Sequence, residues 1–476
     1  MDKVKTDDQL IENFLTRAVE NAYPSKDQFA SALKSGKKLS AYLGIDPTGP
    51  SLHLGHAIAM KKLRELQDMG HRVILLIGDF TAMIGDPTDK AATRKQLTRE
   101  QVLENCKNYA EQAKKILDMD GSKTGNPVEM KFNSEWLAKM SFADVVELAS
   151  HFTVQQMSER DMFRRRMSWR SICPKCNNEN YRASEGSSTS SDDHGGQILI
   201  STFDTQDWKC KECGEEYTPE DGNNLHSPRP VYLHEFLYPL MQGYDSVAMD
   251  VDIEIGGNDQ TFNMLAGRTL MKEGILGHKA KEKFVLTNKL LADTTGKKMG
   301  KSEGNMITLA DTPEDMFGKV MSWTDGMIIS GFELCTNVPE KTYKGIYEVA
   351  MDRKDSREGN PMIYKRKLAH EIVEEWYSKE DADKAEAHFD RLFKNHEAPE
   401  DMPEFTVATR NHKLTDLLVL AELVPSKSEA RRQIEQGAVK VNDEVIEDPD
   451  AEIEIADKGT VIQKGKRFFA KILCTR

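Results

Sequence analysis

A short apolar segment, Leu39 to Ile45, runs into Asp46-Pro47-Thr48-Gly49-Pro50 and re-emerges near Gly55 as a helical pattern, with Ile58, Leu63 and Leu66 on one stripe that ends at Gly70. Pro47, Gly49 and Pro50 interrupt both regular elements, so the stretch reads as strand, tight turn and helix start. Val73 to Ile77 then forms an unbroken apolar run followed by Gly78-Asp79, the pattern of a parallel strand buried on both faces. A strand, a helix and a second buried strand in that order imply an α/β fold built on a doubly wound, Rossmann-like parallel sheet. Ligands in such a sheet sit at the C-terminal ends of the strands. The tight turn lies on that side, where a helix N-terminus offers unpaired amides to an anion such as phosphate. His53 and His56 bracket Gly55 there, and Gly85-Asp86-Pro87 follows the second strand on the same side.

Far downstream, Lys298-Met299-Gly300-Lys301-Ser302 places two lysines in a glycine- and serine-bearing loop. Alone, a histidine pair or a basic loop is equally compatible with solvated surface. The chain also carries Tyr42-x-Gly44-x-Asp46, Ile84-Gly85-Asp86-Pro87, Tyr238-Pro-Leu-Met-Gln242-Gly-Tyr-Asp245 and Gly256-Gly257-Asn258-Asp259-Gln260. Six motifs in this order resemble the class I aminoacyl-tRNA synthetases, with the His53 to His56 and Lys298 to Ser302 runs similar to their HIGH and KMSKS signatures. The surrounding runs narrow the resemblance to the bacterial-type tyrosyl-tRNA synthetases. It covers nearly the whole chain except residues 167–228. Gly300 stands where the nominal pattern has serine.

That resemblance implies a tyrosine–tRNA ligase. L-tyrosine and ATP, the latter as its Mg2+ complex, would give tyrosyl-adenylate and pyrophosphate, and the tyrosyl group would pass to the 3′ end of tRNA(Tyr). By resemblance, Thr48, His53, His56, Lys298 and Lys301 act on the phosphates. Tyr42 and Asp245 meet the substrate phenol, and Asp86, Tyr238 and Gln242 meet its ammonium. Gly44, Asp46, Gly257, Asp259 and Gln260 surround the ribose and the substrate carboxylate, with Gly55 and Ser302 also at the nucleotide. The chemistry suits these types: histidine and lysine donate to phosphate oxygens, while carboxylates accept from ammonium and phenol. Two other readings compete. A tryptophan ligase shares the fold, but Tyr42 and Asp245 favour phenol over indole. An RNA-binding protein without the chemistry would not need His53, His56, Lys298 and Lys301.

The length of 476 residues predicts two to four domains. A net charge of −13 argues against indiscriminate nucleic-acid binding, so an RNA partner must be met by local basic patches. No apolar run reaches the roughly 18 residues of a membrane span, and the N-terminus lacks a secretory pattern, so a cytoplasmic location is expected. Among seven cysteines, Cys173-x-x-Cys176 and Cys210-x-x-Cys213 form two knuckles whose four thiolates suit a tetrahedral structural zinc in a zinc-ribbon-like insertion. The 33 residues between them exceed the roughly 15–20 of the commonest four-Cys spacing, and redox-active or unligated thiols are the alternative. Between the knuckles, Ala183 to Ser191 reads as loop, and His194 as loop residue rather than ligand.

The predicted domains are a catalytic body over 1–330 that contains the insertion, an α-helical anticodon-binding domain over 331–405, and a unit over 406–476. That last unit resembles the S4 RNA-binding domain, with Arg431 and Arg432 on a helix before Gly437 and a short strand. Residues 8–36, 97–118 and 142–166 are each expected to be helical, and 142–166 is either an ordinary amphipathic helix or, as in the family, near the contact of a homodimer.

Overall fold

The computed structural model describes residues 4–86, 97–158, 163, 188–191, 197–200, 208–209, 216–217, 231–292, 306–345, 360–393, 402–465 and 468–475. The chain divides into two compact units, one built on residues up to Leu290 and the other on residues from Asn305 onward.

The first unit is organised on a six-stranded sheet: β1 (Val19–Tyr23), β2 (Ser40–Ile45), β3 (Arg72–Ile77), β4 (Glu129–Phe132), β5 (Ile253–Gly257) and β6 (Phe284–Asn288), in the spatial order β1-β6-β5-β2-β3-β4. All neighbours are parallel except β1, which closes one edge antiparallel to β6. The strand order reverses between β2 and β5, and such a switch point opens the crevice in which α/β sheets bind ligands. Val73 to Ile77 is buried throughout, as its unbroken apolar run predicts. Helix α1 (Leu54–Asp68) covers the sheet with Ile58, Leu63 and Leu66. Helices α2 (Leu233–Ala248) and α3 (Thr261–Glu273) pack against each other where Gly243 meets Gly267; a Cβ on Gly243 would stand 3.0 Å from the Gly267 nitrogen.

Three expected helices are subdivided. Residues 8–36 hold helices Asp8–Thr16 and Lys26–Lys34, capped by Asp7 and Ser25, with strand β1 between them. A five-residue edge strand has too little pattern of its own, and its pairing with β6 decides it. Within 97–118 the helix divides into Arg99–Cys106 and Tyr109–Ala113. Within 142–166 it divides into Phe142–Ser150 and Val154–Ser158, separated by a turn in which Gln156 Oε1 accepts from the Thr153 amide at 2.8 Å. Phe163 is buried with its ring 4.5 Å from that of Phe236. In the insertion, Ser188–Ser191 pairs with Gln197–Ile200, and Trp208–Lys209 with Glu216–Tyr217. Ser188–Ser191 is therefore strand where its composition reads as loop.

The second unit contains helices Pro313–Met321, Ile328–Cys335, Pro361–Trp376 and Lys379–Phe393. Arg366 joins the last two by donating to Glu386 and Asp390. Beyond them lies a five-stranded sheet in the order Glu404–Val407, Phe468–Cys474, Thr460–Lys464, Val439–Val441 and Glu444–Val445, over a core that includes Leu414, Leu418, Ile434, Val439, Ile462 and Ile472. The helix Lys427–Glu435 starts at its Ser426 cap, and Gly437 supplies the positive φ of +66° that turns the chain into the strand at Val439.

Candidate active site

The turn after β2 is held by side chains from the divided helix. Asn105 donates to the Pro47 carbonyl at 2.9 Å, the Tyr109 hydroxyl to that of Gly49 at 2.6 Å, and the Gln112 amide to that of Pro50 at 3.0 Å. The Thr48 amide donates to the Asp46 carbonyl at 2.8 Å. These bonds satisfy backbone groups that no strand or helix partner reaches. At the start of α1 the His53 amide donates to Nδ1 of His56 at 3.3 Å. An accepting Nδ1 places the proton of neutral His56 on Nε2, which makes that atom a donor. The two imidazoles stack with centroids 3.8 Å apart, and a Cβ on Gly55 would stand 2.9 Å from the His53 ring, so glycine is what admits that ring.

Asp46 is a half-buried acid just past the end of β2. Its Oδ1 accepts from Thr81 at 2.7 Å and its Oδ2 from the Tyr238 hydroxyl at 2.8 Å. A Cβ on Gly78 would lie 1.9 Å from Oδ1, so no other residue can stand there with Asp46 in place. Burial pushes the Asp46 carboxyl up to about 7, although both hydroxyl donors favour its anion and Asp86 and Asp79 oppose it. Asp245 is also buried, with Oδ1 accepting from the Trp136 indole at 2.7 Å and Oδ2 from Asn133 at 3.3 Å. Burial holds its carboxyl well above the usual range, against the pull of Trp136 and Asn133. Asn133 reaches Thr81 at 3.0 Å as well, so the two acids belong to one hydrogen-bonded cluster.

A second polar chain joins Asp86 to Glu254. Gln260 donates to Asp86 at 2.6 Å and Gln242 donates to Glu254 at 3.0 Å. The Asn263 amide nitrogen donates to the carbonyl oxygens of both glutamines, at 3.0 Å to Gln260 and 2.8 Å to Gln242. The direction of every amide follows: each carboxylate takes an NH2, which turns each glutamine oxygen toward Asn263, whose two hydrogens serve both. At the far end Glu254 pairs with Lys283, which also donates to Ser246 at 2.6 Å, and Ser246 lies 2.9 Å from the Tyr42 hydroxyl.

Asp46 and Tyr238 are thus brought into direct contact, and Asp86, Gln242 and Gln260 into one chain. Tyr42 and Asp245 share no hydrogen bond; each has its own buried partners. Gly44 lies within β2, and the Asp259 carboxylate folds over Gly257, where a Cβ would come within 2.5 Å of it. Arg431 and Arg432 are exposed and ion-paired with Asp450 and Glu429. Lys298, Lys301, Ser302, Cys173, Cys176, Cys210 and Cys213 lie outside the described residues. Among the described residues no cluster of His, Cys, Asp or Glu could hold a metal, and no helix is long and apolar enough to cross a membrane.

Sequence reasoning missed Trp136, Asn133, Thr81, Ser246, Asn263, Glu254 and Lys283. Two of them carried a signal: Glu254 interrupts the apolar Ile253 and Ile255 of a central strand, and Lys283 immediately precedes the apolar Phe284 to Leu286. A charge at such a place is buried and therefore paired.

A helix start with two imidazoles at the switch point of a parallel sheet defines the class. The chain matches the family of class I tRNA synthetases (W and Y) over residues 34–173 and 218–394, and belongs to it. Residues 395–472 match the tyrosine–tRNA ligase SYY-like C-terminal domain. The tyrosine–tRNA ligase of Moorella thermoacetica is 39% identical over 464 residues, covering 96% of this chain and 94% of that protein. That of Thermotoga maritima is 39% identical over 94% of both chains. The C-terminally truncated mitochondrial tyrosyl-tRNA synthetase of Aspergillus nidulans shares the fold, with a TM-score of 0.54 at 20% identity over 81% of this chain and 94% of that one. Within its class the chain is a member of the tyrosine–tRNA ligase family.

Proposed function

We propose that the chain activates L-tyrosine with ATP, presented as its Mg2+ complex, and transfers the tyrosyl group to tRNA(Tyr). The tyrosine carboxylate attacks the α-phosphorus, pyrophosphate leaves, and a hydroxyl at the 3′ end of the tRNA then displaces AMP from the tyrosyl-adenylate. Charge moves onto the leaving pyrophosphate, so positioned donors do most of the work. His53, His56 and Thr48 serve the phosphates from the turn, and Lys298 and Lys301 from their loop. Asp86, Tyr238 and Gln242 receive the ammonium, and Asp245 and Tyr42 read the phenol. Gln260, Asp46, Asp259, Gly44 and Gly257 frame the carboxylate and ribose, beside Gly55 and Ser302. The observation that carries this reading is the pair of polar clusters at the switch point, in which Tyr238 is bonded to Asp46, and Asp86, Gln260 and Gln242 are joined through Asn263. ATP–pyrophosphate exchange that requires L-tyrosine tests it; exchange supported by L-tryptophan instead would overturn the tyrosine assignment.

The finer organisation follows the same reading: a catalytic body over 1–330, an anticodon-binding helical domain over 331–405, and an S4-like tRNA-binding domain over 406–476 that uses Arg431 and Arg432. A structural zinc on Cys173, Cys176, Cys210 and Cys213 is supported by the ribbon Trp208–Lys209 and Glu216–Tyr217, whose connection carries the second knuckle. A homodimer is supported by Phe142 and Leu233, each 84% exposed, on helices that pack together through Leu148 and Leu240. The setting is the cytoplasm, where tRNA is charged.

A further inference from the structure

Lys283 is completely buried, and its three N–H groups are all used: on Ser246 Oγ at 2.6 Å, on the Met264 carbonyl at 3.2 Å and on Glu254 Oε2. Glu254 is 2% exposed and sits directly across from Tyr42 between strands β5 and β2. Its other oxygen takes the Gln242 amide at 3.0 Å. The pair therefore touches the surroundings of two residues assigned to tyrosine, one toward each end of the substrate. Ser246 has one proton of its own for two remaining neighbours, Tyr42 Oη at 2.9 Å and Glu254 Oε2 at 3.4 Å, and the shorter contact is with Tyr42.

A buried ion pair is a poor way to gain stability, because desolvation consumes most of the attraction and apolar replacements of similar size are often no worse. Its use is orientation. An ammonium can only donate and a carboxylate can only accept, so together they allow one arrangement of the hydroxyl and amide around them. The helices make room for this pair at a specific place. A Cβ on Gly267 would stand 2.5 Å from Lys283 Nζ and 3.0 Å from Ser246 Oγ.

We propose that Lys283 and Glu254 are positioning residues for tyrosine recognition, setting the Tyr42 hydroxyl through Ser246 and the Gln242 amide directly. The lysine and Glu254 fix Ser246 from both sides, and Ser246 in turn holds the Tyr42 hydroxyl at 2.9 Å, so the pair sets where that hydroxyl stands for the substrate phenol. Glu254 holds the Gln242 NH2 and so presents that side chain, through Asn263, in register with Gln260 and Asp86. This inference rests on the assignment of Tyr42 and Gln242 to the substrate.

The test is the charge-neutral pair Lys283→Met with Glu254→Gln in the full chain, checked for folding by circular dichroism and read by ATP–pyrophosphate exchange. The expected result is a rise in KM for L-tyrosine of about 10–10²-fold and a comparable fall in the tyrosine-to-phenylalanine ratio of kcat/KM, with KM for ATP unchanged. Ser246→Ala removes only the hydroxyl that links the pair to Tyr42 and should lower the same selectivity ratio in the same direction; it decides the matter if the double variant does not fold. Folded variants with wild-type tyrosine KM and selectivity would overturn the proposal, as would equal losses for tyrosine, phenylalanine and ATP, which mark a merely structural pair. A wild-type chain without tyrosine-dependent exchange would instead overturn the functional reading beneath it.

Discussion

Replacing Asp46 by asparagine should make the catalytic unit more stable in mild alkali while damaging the reaction it serves. Burial raises the Asp46 carboxyl from 3.8 to about 7. A raised carboxyl means the folded chain holds the proton more tightly than the unfolded one. The stability that this contributes is fully present below about pH 4 and is lost as pH rises through about 7, since the unfolded state binds fewer protons across that window. At ~1.36 kcal/mol per pH unit, the whole shift is worth about 4 kcal/mol, of which about 2–3 kcal/mol disappears between pH 5 and pH 8. Asparagine has the same shape, can still accept from Thr81, and can donate to the Tyr238 oxygen, so it keeps the cluster without the charge. Urea unfolding scored by pulse proteolysis separates this unit from the C-terminal one. The variant should gain about 2–3 kcal/mol over wild type between pH 5 and pH 8. An unchanged difference at the two pH values would refute the reasoning, because the Thr81 and Tyr238 donors would then outweigh burial.

His56→Ala or Lys301→Ala should slow adenylate formation in single-turnover measurements by about 10²–10³, with little change in tyrosine binding. Asp245→Ala should cost tyrosine much more than phenylalanine in exchange assays, because it removes a partner that only the phenol needs; equal losses would make Asp245 a structural acid. Elemental analysis of protein purified without chelator should find about one zinc per chain, and Cys210→Ser should remove it and expose residues 167–228 to protease. Arg431→Ala should weaken tRNA binding and flatten its salt dependence by about 0.7–0.9 in logarithmic slope, since one phosphate contact is lost.

Much of the sheet could be read in advance because its strands announce themselves locally. Val73 to Ile77 is apolar at every position, and Pro47, Gly49 and Pro50 allow only a turn. β1 could not, because Val-Glu-Asn-Ala-Tyr becomes a strand only through β6, which lies more than 260 residues away at Asn21↔Thr287. The break after Cys106 was invisible for the same reason: it serves the carbonyls of Pro47, Gly49 and Pro50, which nothing in residues 97–118 foretells. At the site, motif residues could be named one by one, but not their partners. That Asp46 faces Tyr238, or that Asn263 stands between Gln242 and Gln260, depends on helices α2 and α3 crossing at Gly243 and Gly267.

The site keeps many ionisable groups out of water. Asp245, Glu254, Lys283, Tyr42 and Tyr238 are all buried, and Asp46 is half-buried beside them, a concentration that would be costly in an ordinary core. Each is nonetheless hydrogen-bonded, and the cost is not fully recovered: the Asp46 and Asp245 carboxyls stay raised despite their donors. On the proposed assignment, the substrate supplies what is missing. Its ammonium, received by Asp86 and Tyr238, brings positive charge beside Asp46, whose carboxyl is raised partly by Asp86 itself. Its phenol brings a hydroxyl to Asp245 and Tyr42. A pocket built in this way disfavours the carboxylate anions until the substrate arrives, so part of the binding energy goes to ionising them. Phenylalanine offers the ammonium but not the hydroxyl, and leaves Asp245 and Tyr42 with desolvated groups unmatched. Selectivity then comes from the cost of the unfilled partner at the phenol end, while the acid cluster at the other end serves every amino acid alike.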